Sequence, residues 1–163
     1  MYHFFVEPHP IGAVEIRIEG ADVNHIRNVL RMKPGEEILI SSREGGDYFC
    51  RVEELEPEYV SAKILEEWEN KELPARIHLF QGLPKGDKME LIIQKAVELG
   101  AYRVVPVSMK RSVVKLDAKK ADAKRKRWNA VSESAAKQSK RSLIPEVAPL
   151  MTYKEAVKEA AGY

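Results

Sequence analysis

The spacing of apolar and polar residues divides the chain into two parts. Up to about residue 70 the pattern favours strands. Residues 14–19, VEIRIE, alternate apolar and charged side chains, which is the period of a half-buried strand. Three more strands are predicted over 36–42, 47–55 and 59–68. Several short strands in one segment predict a compact β-barrel.

A hairpin and a short helix complete the first part. Gly45 and Gly46 separate the second and third predicted strands, and glycine permits the positive φ that a hairpin loop needs. Asp22 is predicted to cap a helix that Pro34 and Gly35 end. The apolar positions of this helix are Val23, Ile26, Val29 and Leu30.

The second part alternates strand and helix. Strands are predicted over 76–83 and 102–109, and the second is largely apolar, as in a parallel sheet buried on both faces. Between them a helix begins at Asp87, with Glu90 as its second start signal, and ends at Gly100. The predicted buried face of this helix consists of Met89, Ile92, Ile93, Ala96 and Val97.

Two more helices are predicted after the second strand. A basic helix spans about 119–140. Pro145 and Pro149 then predict an irregular connection. Thr152 and Glu155 form a capping box that opens a last short helix.

Pro74 marks a plausible domain boundary, which gives domains of 1–72 and 73–163. The strand–helix series of the second domain stops after a helix, and two parallel strands make a poor sheet. Because ligands bind at the carboxyl ends of parallel strands, a site there would be incomplete. A truncated domain is expected. The alternative is a small sheet that partner contacts or the first domain complete.

Composition restricts the class of protein. A hydrophobic content of 44% in 163 residues is typical of a globular chain. No apolar run reaches about 18 residues, so no membrane span is expected. The start, MYHFFVEPHPIG, does not read as a secretion signal. A lone Cys50 favours a reducing, cytoplasmic setting, and neither the cysteine nor the four histidines show metal-ligand spacing.

Charge is distributed unevenly, although the formal net charge is only +2. Residues 103–141 contain thirteen basic and three acidic side chains, a local charge of +10, so the remainder carries −8. This asymmetry indicates an anionic partner that meets one face. A solvated, lysine-rich helix is the alternative interpretation.

Two short motifs carry candidate anion contacts. HIRNVLR, residues 25–31, places basic side chains near the polar side of a short helix; they either position phosphates or belong to an ordinary amphipathic helix. QGLPKGDKMEL, residues 81–91, places Lys85 and Lys88 at a helix N-terminus, where free N–H groups favour anions. The alternative for this motif is a plain β–α turn. Arg111 follows the second strand and would face the same crevice as Lys85 if the sheet is parallel.

The most basic stretch is KRKRW, residues 124–128. Four consecutive cations form a collar around the helix rather than a stripe. Trp128 either packs in the core, with Val131 and Ala135, or stacks on a base. Gln138 is predicted to continue the apolar line and to need a polar partner. A nuclear-localisation signal is a weaker interpretation of the four cations.

Together these motifs resemble the SPOUT-class methyltransferases that methylate N3 of a uridine in 16S ribosomal RNA of the small subunit. The similarity rests on five segments: YHFFV, HIRNVLR, QGLPKGDKMELIIQKAVELG, KRSV, and RW with SESAAKQSKR and PEV. It implies a PUA-like β-barrel that binds RNA, followed by a knotted α/β domain. That domain would bind S-adenosylmethionine and form a homodimer.

The resemblance also implies roles for individual residues. Arg111 or Arg141 would favour the uridine anion electrostatically during methyl transfer. Donor-binding residues are expected beyond Tyr163, because the family's glycine-rich GPEGG-type loop does not occur in this sequence. The catalytic candidates are Arg111, Gln138 and Arg141. The RNA-binding candidates are His25, Arg27, Arg31, Lys85, Lys88, Glu90, Lys124, Arg125 and Arg127.

Two other functional hypotheses fit the same sequence. A non-catalytic RNA-binding module would use the same barrel and basic helix without methyl transfer. An oligomeric scaffold would use the last helices for protein contacts. A methyltransferase would bind the methyl donor, whereas a non-catalytic RNA-binding module would not. Both would bind RNA in a salt-dependent way, whereas an oligomeric scaffold would not.

Overall fold

The computed structural model describes residues 1–7, 14–43, 45–110 and 116–163, in two compact units, Met1–Lys71 and Glu72–Tyr163. Unit 1 contains β1 (Tyr2–Val6), β2 (Glu15–Glu19), α1 (Ala21–Asn24) with a π-helical turn (His25–Val29), β3 (Glu37–Ser42), β4 (Asp47–Leu55) and β5 (Tyr59–Trp68). Unit 2 contains β6 (His78–Gly82), α2 (Lys88–Glu98), β7 (Arg103–Ser108), α3 (Ala118–Ser139), β8 (Glu146–Val147), β9 (Met151–Thr152) and α4 (Tyr153–Ala160).

The five strands of unit 1 form one sheet in the order β1-β3-β4-β5-β2. All four predicted strands are confirmed. In β2, Ile16 and Ile18 are buried and alternate with exposed Glu15, Arg17 and Glu19, as the period of two requires. β1 was not predicted. It pairs in parallel with β3 and is buried from the second residue onward, so its sequence has no alternation to detect.

The helical segment of unit 1 differs from its prediction. Gly20, with φ of 74°, takes the N-cap position, and no side chain caps the helix, so the predicted cap at Asp22 is wrong. From His25 the chain forms a π-helical turn, in which the backbone N–H of Leu30 donates to the carbonyl of His25 at 2.9 Å. This wider turn changes the helical phase and leaves Val29 exposed.

The same segment ends earlier than predicted. Arg31 has a φ of 54°, which turns the chain out of the helix before Pro34 and Gly35 are reached. Positive φ is unusual for a residue with a Cβ atom, and it places Arg31 on an exposed corner. Ile26 and Met32, buried on either side of this corner, hold it against the core of unit 1.

Cys50 lies in that core and is fully buried. Burial raises the pKa of its thiol to about 12, because the charged thiolate loses its hydration there. We expect a disulfide reagent such as dithionitrobenzoate to leave Cys50 unmodified at neutral pH in the folded protein and to modify it fully in guanidinium chloride. The measurement is absorbance of the released thiol. Rapid stoichiometric reaction of the folded protein would contradict the buried position.

Unit 2 is built on a parallel sheet in which β7 is central. β6 pairs with one edge of β7, while β8 and β9 pair with the other. The predicted strands β6 and β7 are confirmed, and β7 is buried from Val104 to Val107. Pro145 and Pro149 lie in irregular chain, as predicted, but the connection also contains two strands of two residues each that were not predicted, β8 and β9. Elements this short cannot show a hydrophobic period.

Helix α2 packs as its sequence predicts. Met89, Ile93 and Val97 are buried, and Gly100 follows the helix with φ of 99°. A Cβ atom at Gly100 would lie 2.6 Å from Cδ1 of Leu73, so both the backbone angle and the space favour glycine. Asp87 occupies the N-cap position, although its side chain makes no capping hydrogen bond.

The other two helices of unit 2 are capped by side chains. Asp117 accepts a hydrogen bond from the backbone N–H of Lys120 at 2.8 Å and begins α3. Thr152 and Glu155 form both bonds of a capping box at α4, as predicted. None of the helices in the described parts of the chain is both long and apolar enough to cross a membrane.

Candidate nucleic-acid interface

Helix α3 is fastened to the sheet of unit 2 by two polar side chains. The side-chain Nδ2 of Asn129 donates to the backbone carbonyl of Val147 at 3.1 Å. The side-chain Oδ1 of Asn129 accepts from the backbone N–H of Val147 at 3.0 Å. The buried hydroxyl of Ser132 donates to the carbonyl of Pro145 at 2.6 Å. Neither Asn129 nor Ser132 was a sequence candidate. They satisfy the backbone of β8, and they fix the rotation of α3.

Trp128 sets the direction of the buried face of α3. Its side chain is only 4% exposed, so the core interpretation is confirmed and base stacking is not. Ser132, Ala135 and Ala136 continue this face. Gln138 is exposed, and its predicted place on the buried stripe is wrong. At 100° per residue, ten residues bring Gln138 about 80° away from Trp128.

The cationic collar lies on the outer part of α3. Arg125 and Lys126 both approach Asp122, at 4.0 and 3.2 Å. Arg127 reaches across to Glu90 in the first turn of α2. The two pairs with Asp122 join partly or largely exposed side chains, so they contribute little stability and leave Arg125 and Lys126 available to a stronger anion.

The turn between β6 and α2 meets α3 at a cavity of about 30 Å³. Asp87, Glu90 and Lys124 line it together with apolar side chains. Lys85 and Lys88 are exposed on the same turn. The structure therefore brings the candidates of the 81–91 motif and those of the collar onto one surface of unit 2.

The candidates of unit 1 lie together on its short helical segment. His25 and Arg31 are exposed on the π-helical turn and its end, and Arg27 is half-buried between them. Unit 1 carries eight basic and fifteen acidic side chains, which give a formal charge of −7. Unit 2 carries nineteen basic and ten acidic side chains, which give a formal charge of +9. The turn from His25 to Lys33 contains no acidic residue, so it is a basic segment within an acidic unit.

Arg141 occupies a buried position in unit 2. Its Nε and Nη2 donate to the carboxylate of Glu72, and Nη1 donates to the carbonyls of Val97 and Ala101 at 2.7 and 3.1 Å. The side chain is 9% exposed. Arg141 thus ties the start of unit 2 to the C-terminal end of α2. Arg111 lies outside the described residues.

A second cavity, an apolar groove of about 280 Å³, lies at the carboxyl ends of β6 and β7 beside α4. Its lining consists of Phe80, Gly82, Val107, Met109, Tyr153, Ala156, Val157 and Ala160. The groove holds no charged side chain among these residues. Within the described residues, no group of three or more His, Cys, Asp or Glu side chains is placed to hold a metal ion.

Comparison with known families covers both units. The family described as an RNA methyltransferase domain matches residues 71–163, and an RNA methyltransferase PUA domain matches residues 18–65. The chain belongs to the RNA methyltransferase family. The predicted fold class, a PUA-like β unit followed by a SPOUT-type α/β methyltransferase unit, is confirmed by these matches and by solved relatives.

Relatives of this chain include the Ribosomal RNA small subunit methyltransferase E of Bacillus subtilis, 43% identical over 90% of this chain and 57% of its own length. The enzyme of the same name from Mycobacterium bovis is 32% identical over 98% of this chain and 63% of its own length. The crystal structure of the Neisseria gonorrhoeae enzyme bound to S-adenosyl methionine is 34% identical in sequence and matches with a TM-score of 0.83. The present chain covers 66% of that chain. The chain thus spans about six-tenths of these curated relatives.

Proposed function

We propose that this RNA methyltransferase transfers a methyl group from S-adenosylmethionine to N3 of a uridine in 16S ribosomal RNA. The match of both units to RNA methyltransferase families, with relatives named for the small ribosomal subunit, carries this proposal. The protein acts in the cytoplasm on ribosomal RNA or the small subunit, needs no metal, and works as a homodimer. The reduced, buried Cys50 agrees with the cytoplasmic setting.

RNA contacts come from two surfaces. On unit 2 the collar and the 81–91 turn face the phosphate backbone, in a unit with a formal charge of +9. On unit 1 the contact is the basic turn that carries His25, Arg27 and Arg31, because the rest of that unit is acidic and repels RNA. Phosphate contacts of this kind position an RNA without reading its sequence.

The described residues fit only part of a methyl donor. The apolar groove at the carboxyl ends of β6 and β7 suits an adenine ring, and it lies where ligands of parallel sheets bind. Its lining offers no charged side chain for the amino and carboxyl groups of S-adenosylmethionine. When bound, S-adenosylmethionine would supply an electrophilic methyl group.

The chemistry of the target base sets what the protein must do. Uridine N3 carries a proton that has to leave before or during attack on the methyl carbon. A cation beside the base favours the uridine anion, and we assign this part to Arg111; Gln138 is a second candidate for the substrate side of the crevice. Arg141 we assign to the structure of unit 2, since its guanidinium donates to Glu72 and to two backbone carbonyls.

The test uses the 163-residue chain and a chimera in which the remaining C-terminal part of the Bacillus subtilis relative follows Tyr163. Calorimetric titration measures S-adenosylmethionine binding, and mass spectrometry of nucleosides from treated small subunits identifies the product. We expect the chimera to bind the donor and to form N3-methyluridine. The 163-residue chain is expected to bind RNA, and to bind the donor weakly.

Three results would change this proposal. Absence of donor binding by the chimera would leave a non-catalytic RNA-binding module. A methyl group at another position would retain the methyltransferase and overturn the N3 assignment. Failure of both proteins to bind RNA would overturn the RNA-directed function itself.

A further inference from the structure

One ion pair of the basic surface differs in geometry from the others. The Nε of Arg127 lies 2.7 Å from Oε1 of Glu90, and Nη2 donates to Oε2 at 3.0 Å. One hydrogen bond and one close ion-pair contact thus place the Nε–Nη2 edge of the guanidinium against the Glu90 carboxylate. In contrast, Arg125 and Lys126 share the single carboxylate of Asp122, which lies on their own helix.

The second edge of the Arg127 guanidinium remains available. Nη1 has no hydrogen-bond partner among the described residues, and Nη2 has a second N–H besides the one given to Glu90. The Arg127 side chain is 68% exposed, whereas that of Glu90 is only 24% exposed. The carboxylate is therefore the fixed side of the pair, and the free edge of the guanidinium is open to solvent.

We propose that Glu90 is a positioning residue, which holds Arg127 so that its free Nη1–Nη2 edge receives an RNA phosphate. This inference rests on the proposed RNA-directed function. A guanidinium edge matches two phosphate oxygens, and a side chain already held in one orientation loses less entropy when it binds. Within the described part of the chain, Arg125 and Lys126 form ion pairs only with Asp122 on their own helix, so no second helix orients them.

The proposal predicts that removal of the Glu90 carboxylate weakens RNA binding, whereas electrostatic repulsion alone predicts that it strengthens RNA binding. A carboxylate on an RNA-binding surface repels phosphate, so its removal should tighten binding if charge alone matters. If Glu90 positions Arg127, Glu90→Ala instead weakens RNA binding about threefold to tenfold, as the loss of one well-oriented phosphate contact implies. Glu90→Gln retains one acceptor for Arg127 and lacks the charge, so we expect wild-type affinity or better.

The experiment is fluorescence anisotropy of a labelled single-stranded RNA oligonucleotide over a range of salt concentrations. The variants are E90A, E90Q, R127A and the double variant E90A/R127A. Glu98→Ala is the matched control, because Glu98 is also an ion-paired carboxylate on α2 but lies at the opposite end of the helix. Thermal unfolding of each variant checks that the fold is retained.

Three results together support the proposal. E90A weakens RNA binding, E90Q does not weaken it, and E90A/R127A binds RNA no more weakly than R127A. The salt slope should also fall by about 0.7 in E90A, the value for one lost phosphate contact to a single strand. Tighter binding by E90A, or equal loss in E90A and E90Q, overturns the positioning role while wild-type RNA binding stands. If the wild-type protein binds no RNA, the proposed function fails instead.

Discussion

Replacing Arg141 by methionine is expected to destabilise unit 2 by about 3–5 kcal/mol, because the substitution leaves the Glu72 carboxylate poorly solvated without its cation. It also removes the donors that bind the carbonyls of Val97 and Ala101 near the end of α2. A cation at a helix C-terminus interacts favourably with the helix dipole, and this contribution is lost as well.

Urea unfolding followed by tryptophan fluorescence measures this effect. The chain has two tryptophans, Trp68 in unit 1 and Trp128 in unit 2, so a Trp68→Phe background makes the signal specific to unit 2. Arg125→Met is the matched control, since Arg125 is a partly exposed arginine of α3, and it should cost less than about 1 kcal/mol.

A double variant separates the buried charge from general damage. Glu72→Met combined with Arg141→Met removes both partners, and we expect it to be more stable than Arg141→Met alone. A change below about 1 kcal/mol in the single variant would show that Arg141 does not support the fold, and a substrate-side role would then be favoured.

The second large effect is expected on RNA binding. Changing all four collar residues to glutamine should lower RNA affinity about 100-fold at moderate salt, because up to four phosphate contacts and their counterion release are lost. Glutamine is a good helix former, so α3 should persist. The salt slope of binding should decrease by up to about 3. The variant is K124Q/R125Q/K126Q/R127Q.

A charge-matched control tests whether position matters. Four exposed lysines of unit 2 outside the collar give the same change in net charge, and their replacement should reduce affinity far less. Equal losses in the two variants would mean that the net charge of unit 2, rather than the collar, attracts RNA. The control variant is K95Q/K140Q/K154Q/K158Q.

The sequence predicted those features that one element encodes by itself. The period of two in VEIRIE marked β2, and the spacing of Met89, Ile93 and Val97 marked the buried face of α2. The capping box at Thr152 and the glycine after α2 were also local signals. Each works because a residue and its neighbours within about four positions share one turn or one strand face.

Elements without a local signal were missed. β1 is buried on both sides, and β8 and β9 are two residues long, so neither periodicity nor length could reveal them. The π-helical turn shifted Val29 out of the core, although its sequence spacing was that of a buried position. In these cases pairing with distant strands, or a change in backbone winding, decided the result.

The amino-acid sequence by itself determined the two-part organisation, the family and the concentration of cations in one helix. Only the tertiary structure decided which partners the arginines of unit 2 meet. Arg141 meets Glu72 from 69 positions away, and Arg127 meets Glu90 from 37. Contacts at such separations depend on how helices and strands pack, and the local pattern of residues does not predict that packing.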